Sequence, residues 1–146
     1  MTVTTDNREL AVRWLELISA GDVEELCRTC TPDWTMAGGP PDLPPDPDGI
    51  RALVASFGRV EQSWTVEDVI AEGDKVVVRA TNRCEQDEFL GVPAAGITQV
   101  FAATFVFRIE DGRVAEIHRT AQDLQRLLQL GAVPVPPSSR PSSSTS

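Results

Sequence analysis

The chain has no tyrosine, a single histidine and a single lysine. Without Tyr, no phenol can donate to a developing oxyanion. Such donors have to come from a Trp indole, Gln99, Gln122, Asn82 or Arg79. Cysteine is scarce and odd in number, with Cys27, Cys30 and Cys84. Three thiols without a secretion signal argue against a disulfide framework. The lone C-x-x-C of Cys27 and Cys30 lacks the second ligand pair of a zinc site and lies at the end of an expected helix, not at its start. Both are therefore expected to be buried core thiols, and no metal is expected. Long apolar runs are missing, so nothing reaches the roughly 18 residues of a membrane span. The start MTVTTDNREL has neither the basic residues nor the apolar segment of a signal peptide, which makes the cytoplasm the expected compartment. Basic clusters are missing too. With Asp+Glu 22 against Lys+Arg 13 and a formal charge of −9, neither nucleic acid nor an anionic membrane is an expected partner.

What is present suits one domain with one core, at 146 residues, 41% hydrophobic and 24% charged. Asp6 to Ala20 carries Leu10, Ala11, Trp14, Leu15 and Ile18 at helical spacing. Gly21 ends that helix, and Asp22 with Glu25 has capping-box spacing for a second one running to about Thr31. GGPPDLPPDPDG, residues 38–49, is a proline-stiffened loop, after which Asp48 is placed to cap a third helix bearing Ile50, Leu53, Val54 and Phe57.

Beyond Gly58 the period changes from 3.6 to 2. Strands are expected over Ser63–Glu72, Lys75–Cys84, Ile97–Ile109 and Arg113–His118, with hairpin turns at Gly73 and at Asp111-Gly112. Leu124, Leu127 and Leu128 mark a last helix ended by Gly131. Residues 1–133 form the expected domain, and the Pro/Ser-rich 134–146 an expected disordered tail. Helices followed by strands indicate α+β, with about four antiparallel strands in a curved sheet and the N-terminal helices packed on it to leave a conical pocket.

VEDVIAEGDKVVVRAT, EFLGVPAAG, FRIEDGRVAEIH and LLQLGA together resemble the SnoaL-like polyketide cyclases. That family sits in the nuclear-transport-factor-two-like superfamily with limonene-epoxide hydrolase and ketosteroid isomerase relatives. The resemblance covers about residues 8–133. It implies a cystatin-like α+β barrel with a conical pocket, a homodimer, and cofactor-free acid/base closure of a small apolar, polyketide-like substrate. It also implies an acid/base Asp near the start of the last helix, in a pattern G-x-I-x-E-x-W-x-x-x-D. Laid on the sequence from Gly112, the Trp of that pattern falls on His118 and the Asp on Gln122, while the family's His falls on Glu85. A carboxamide cannot serve as a base, so either the adjacent Asp123 takes that role or the work moves to other groups.

The expected catalytic candidates are accordingly His118, Glu116, Asp123 and Glu85. Imidazole is the side chain best suited to acid/base exchange at neutral pH, and His118 shares a strand parity with Val114 and Glu116, which would put an acid/base pair on one face. Trp34, Trp64, Phe89, Arg79 and Gln122 are the expected substrate-binding residues. Alternatives are epoxide opening, although Arg79 is not followed by the paired R-x-D pattern of limonene-epoxide hydrolase relatives, and a non-catalytic ligand-binding or partner-stabilising module.

Overall fold

The computed structural model describes residues 3–134; residues 135–146 of the expected tail lie outside the described residues. Helix α1 (Val3–Ala20) buries Ala11, Trp14, Leu15, Leu17 and Ile18 along one stripe, as the spacing requires. Helix α2 (Val23–Arg28) begins at Asp22, whose side chain accepts from the Glu25 amide at 3.2 Å. Helix α3 (Pro47–Ser56) begins two residues before the sequence suggests. Asp46, not Asp48, is the cap and accepts from the Asp48 amide at 2.7 Å, because Pro47 has no amide to satisfy and fits the first helical position.

Between α2 and α3 lies a strand that the sequence reading missed, β1 (Cys30–Ala37). It pairs in parallel with the last long strand. The remaining strands are β2 (Val60–Glu72), β3 (Lys75–Gln86), the two-residue β4 (Glu88–Phe89) and β5 (Val92–Pro93), β6 (Gln99–Glu110) and β7 (Arg113–Ala121). The five long strands run in the order β1-β7-β6-β3-β2, and β4 pairs only with β5. The sheet is antiparallel apart from the β1–β7 pair and stays open, with β1 and β2 as its edges, so the strands do not close into a barrel. Helix α4 (Asp123–Gln129) follows β7 directly.

β3 and β6 alternate strictly, with Val76, Val78, Ala80, Asn82, Cys84 and Gln86 inward on β3 and Phe101, Ala103, Phe105 and Phe107 inward on β6. Their aliphatic and aromatic ends pack on α1, where Trp14 meets Phe107 edge-on at 5.8 Å between ring centroids. Side chains of this size each contribute about 1.5–3 kcal/mol on full burial. The inward residues of β3 beyond Ala80, with Phe101 and Phe105 of β6, face the cavity described next. No helix among the described residues is long and apolar enough to cross a membrane.

Candidate functional site

Between the helices and the inward face of the sheet lies a cavity of about 350 Å³, in the range that holds a small molecule. Trp14 and Ile18 of α1, Leu53 of α3 with Phe57 just after it, and Phe101 and Phe105 of β6 make its apolar wall. The loop Gly38–Pro41 and the β4–β5 hairpin residues Phe89 and Leu90 frame the rest. The polar groups gather on one side: Gln62, Asn82, Cys84 and Gln86 from the sheet, then Arg119, Asp123 and Arg126 from the junction of β7 with α4.

Asp123 is the first residue of α4, and Arg119 lies four residues before it on the inward face of β7. The guanidinium grips the carboxylate at both oxygens, Nη1 to Oδ2 at 2.9 Å and Nη2 to Oδ1 at 2.8 Å. Nη1 also donates to the Gly38 carbonyl at 2.9 Å, which ties the proline-rich loop to the same group. Each Asp123 oxygen keeps a lone pair free of that fork, on a residue that lines the cavity.

Arg126 is the inward residue of α4. It is 7% exposed, whereas Leu124, which the sequence places on the apolar stripe, is 59% exposed. Its guanidinium carbon lies 3.5 Å from the Phe89 ring centroid and 4.2 Å from that of Phe101, a cation held between two aromatic faces. Nε donates to Gln99 Oε1 at 2.7 Å, and Nη2 to Gln86 Oε1 at 2.6 Å. Burial pulls this guanidinium below the ordinary arginine value. Asn82, 1% exposed, donates to Gln62 Oε1 at 3.0 Å while its own Oδ1 has no partner among the described residues.

Of the nine residues expected at the site, Asp123 and Phe89 line this cavity. His118 and Glu116 do come together, with Nε2 to Oε1 at 3.5 Å, but on the other face of the sheet; His118 is 58% exposed there and Glu116 also meets Arg108 at 3.5 Å. The cause is a bulge. Ile109 pairs with Val114 and Arg108 with Glu116, so Ala115 is an extra residue and the parity reverses beyond it. Val114 and Ile117 therefore point inward, and Glu116 and His118 outward.

Glu85 and Arg79 occupy outward positions of β3. Glu85 accepts from the Gly96 amide at 2.8 Å and from Arg59 at 2.9 and 3.0 Å, and these bonds, the amide's first, hold its carboxyl below the usual carboxylate value. Arg79 pairs with Asp68 at 2.6 Å on the surface. Trp34 is fully buried in the core, because β1 turns it inward instead of leaving it at a loop rim. Trp64 stands behind the cavity wall, edge-on to Phe101 at 5.7 Å and Phe105 at 5.3 Å. Gln122 turns away from the cavity, and its Oε1 accepts from the Ala102 amide at 3.0 Å. Cys30 and Cys84 are buried free thiols and Cys27 is half-buried. No cluster of His, Cys, Asp or Glu suited to a metal occurs among the described residues.

Arg126, Arg119, Gln62 and Gln86 are among the cavity residues that sequence reasoning did not single out. Carrying the Val76, Val78, Ala80 alternation to the end of β3 would have found Gln86. The LQRLLQ pattern hid Arg126, since its leucines outweigh one arginine in any amphipathic reading.

The SnoaL-like domain family matches residues 11–117. No curated protein matches the chain significantly. Among solved structures, TsrD from Streptomyces laurentii superposes with a TM-score of 0.80 at 27% identity, covering 91% of this chain and all (100%) of that one. A protein from Jannaschia sp. CCS1, described as a proposed SnoaL-like polyketide cyclase, superposes at 0.77 with 27% identity over 92% of this chain and 97% of that one. IdmH from Streptomyces antibioticus, described as a proposed polyketide cyclase, superposes at 0.70 with 28% identity over 86% and 98%.

Proposed function

Because the chain belongs to the SnoaL-like family, we propose that it is a cofactor-free cyclase or isomerase of a small, apolar, polyketide-like carbonyl compound, with Asp123 as its acid/base group. The observation that carries this reading is the single fixed carboxylate of Asp123 at the polar end of an otherwise apolar cavity, gripped at 2.8 and 2.9 Å by Arg119. Asp123 removes a proton from the carbon next to a substrate carbonyl, and the C–H electron pair moves to the carbonyl oxygen to give an enolate. In a cyclisation the enolate carbon then bonds to a second carbonyl carbon of the same molecule, and the new alkoxide takes the proton back from Asp123. In an isomerisation the proton returns to a different carbon. Both steps balance without an oxidant, a metal or a second substrate. The apolar wall of Trp14, Phe101 and Phe105 would fold the substrate and exclude water.

The test is proton abstraction itself. In deuterated buffer, exchange at the α-carbon of 2-tetralone, a compact apolar ketone, is followed by NMR. The wild type should exceed buffer, and Asp123→Asn should fall to the buffer rate. Equal exchange by the two proteins would remove Asp123 from the role. No exchange by either would leave the cavity as a ligand-binding pocket.

A further inference from the structure

The overall charge of the chain is −9, yet the part of its cavity inside the rim carries the opposite imbalance. Inside the rim two guanidiniums, Arg119 and Arg126, face one carboxylate, Asp123; the other acidic lining residue, Glu88, is exposed to solvent. Arg119 already pairs with Asp123 at both oxygens. The surplus positive charge therefore resides on Arg126, which is only 7% exposed. Its Nε and Nη2 are used by Gln99, Gln86 and Cys84. Nη1 makes no hydrogen bond among the described residues, and its nearest carboxylate oxygen, Asp123 Oδ1, is 3.9 Å away. Burying a cation without a hydrogen-bonded counter-charge is unfavourable, and two aromatic faces offset only part of that. Phe89, Phe101, Gln86 and Gln99 fix the guanidinium plane, so the bare edge stays directed at one place beside Asp123.

We propose that the Nη1 edge of Arg126 binds an anionic oxygen of the substrate, which makes the substrate class an apolar molecule bearing an acidic enol or a carboxylate. The inference rests on the cavity being the substrate site. It adds to the proposed function that the oxygen receiving charge from the deprotonated carbon, or an acidic group next to it, lies on Arg126. A charged donor fixed in a site of low polarity lowers the energy of that oxygen more than water does.

Binding, which needs no turnover, tests the proposal apart from the reaction. Two matched pairs of compounds are titrated at neutral pH by calorimetry: 4-hydroxycoumarin, an ionised enol, against coumarin, and 2-naphthoate against 2-naphthamide. At least one anion should bind about tenfold or more tighter than its neutral partner, a ratio expected for a charge-assisted hydrogen bond. The pair that shows the preference separates the enol from the carboxylate. Arg126→Met should erase the preference while keeping the affinity for the neutral compound. In the wild type labelled with 15N-arginine, the Arg126 guanidinium resonances should move with the preferred anion and stay fixed with its neutral partner, a readout that does not depend on a variant folding. Equal affinities within both pairs, or guanidinium resonances indifferent to the anion, would overturn the proposal even if 2-tetralone exchange by Asp123 stands.

Discussion

Arg119 joins three pieces of the site through one guanidinium: both oxygens of Asp123 at 2.8 and 2.9 Å, and the carbonyl of Gly38 at 2.9 Å. It sits at the end of β7 and Asp123 at the start of α4, so their pairing fixes how the helix leaves the strand and where the carboxylate stands. On the proposed function, Arg119 is thus a positioning residue for Asp123. Arg119→Gln keeps some hydrogen bonding but loses the charged fork, and should lower stability by about 1–3 kcal/mol. Exchange on 2-tetralone should fall about tenfold or more through kcat, with KM little changed, because the apolar wall is untouched. Arg119→Lys, which restores charge without the planar fork, should recover stability better than rate. Urea unfolding and exchange kinetics on the three proteins check this, and a loss confined to KM would assign Arg119 to ligand binding instead.

Gly38 holds the other end of that contact. Its φ is +82°, and a Cβ there would lie 1.9 Å from the Arg119 carbonyl oxygen, an atom of backbone that cannot swing aside. Gly38→Ala combines a left-handed conformation with that overlap, so about 1–3 kcal/mol of destabilisation is expected, together with movement of the loop that frames the cavity. Gly39→Ala is the control, since a Cβ there meets only the flexible end of Met36 at 3.2 Å. Equal unfolding midpoints for the two variants would show that the loop shifts freely and does not fix the cavity edge.

Why some of this was readable in sequence and some was not follows from particular residues. The stripe of α1, the cap at Asp22 and the alternation of β3 and β6 are local patterns, and they appear where the spacing put them. β1 was unreadable because Pro32 and Asp33 are poor strand residues, tolerated on an edge that pairs only with β7. The bulge at Ala115 leaves no signature in VAEIH, yet it sends Glu116 and His118 to the outer face and Arg119 to the cavity. Asp123 was within reach because the start of a helix is legible to within a residue, and α4 begins so that Asp123 lines the cavity while Gln122 turns to Ala102. Arg126 was not, because its burial depends on Gln86, Gln99, Phe89 and Phe101 from three other segments.

The outward placement of His118 gives a sharp expectation. A half-exposed imidazole whose one ionic neighbour among the described residues is a surface Glu contributes little. His118→Ala should change stability by less than about 0.5 kcal/mol and leave 2-tetralone exchange at the wild-type rate across the pH range. A tenfold loss of exchange, or a neutral-range pH inflection that vanishes in the variant, would bring the His118–Glu116 pair back as the acid/base group.

Gln122 and Asp123 can be separated in the same assay. Gln122 lends its side-chain oxygen to the Ala102 amide, and its backbone amide donates to the Ala102 carbonyl at 3.0 Å. In the double variant Gln122→Asp with Asp123→Asn, the carboxylate would point toward β6 and not into the cavity. Exchange should remain at the level of Asp123→Asn. Recovery would mean that α4 can start one residue earlier and that the register, not the residue, decides which position is the base.

The buried thiol of Cys30 supplies an alkaline limit to stability. Burial pushes it from 9.0 up to about 11, against a smaller opposing effect of its hydrogen bond with Thr29. The folded pKa lies above the unfolded one, so the neutral thiol favours the fold. The contribution is fully present below pH 9 and is lost as the pH rises from 9 through about 11. The lost stability should amount to roughly 2–3 kcal/mol. Cys27 and Cys84 are raised by burial as well and act in the same direction. With no tyrosine and one lysine in the chain, little else titrates in that range. Urea unfolding at pH 8, 9, 10 and 11 should show a falling midpoint in the wild type and a distinctly shallower fall in Cys30→Ala. The comparison is of slopes, since the substitution itself removes some packing. Identical slopes would mean that the Cys30 thiolate is reached by solvent without unfolding.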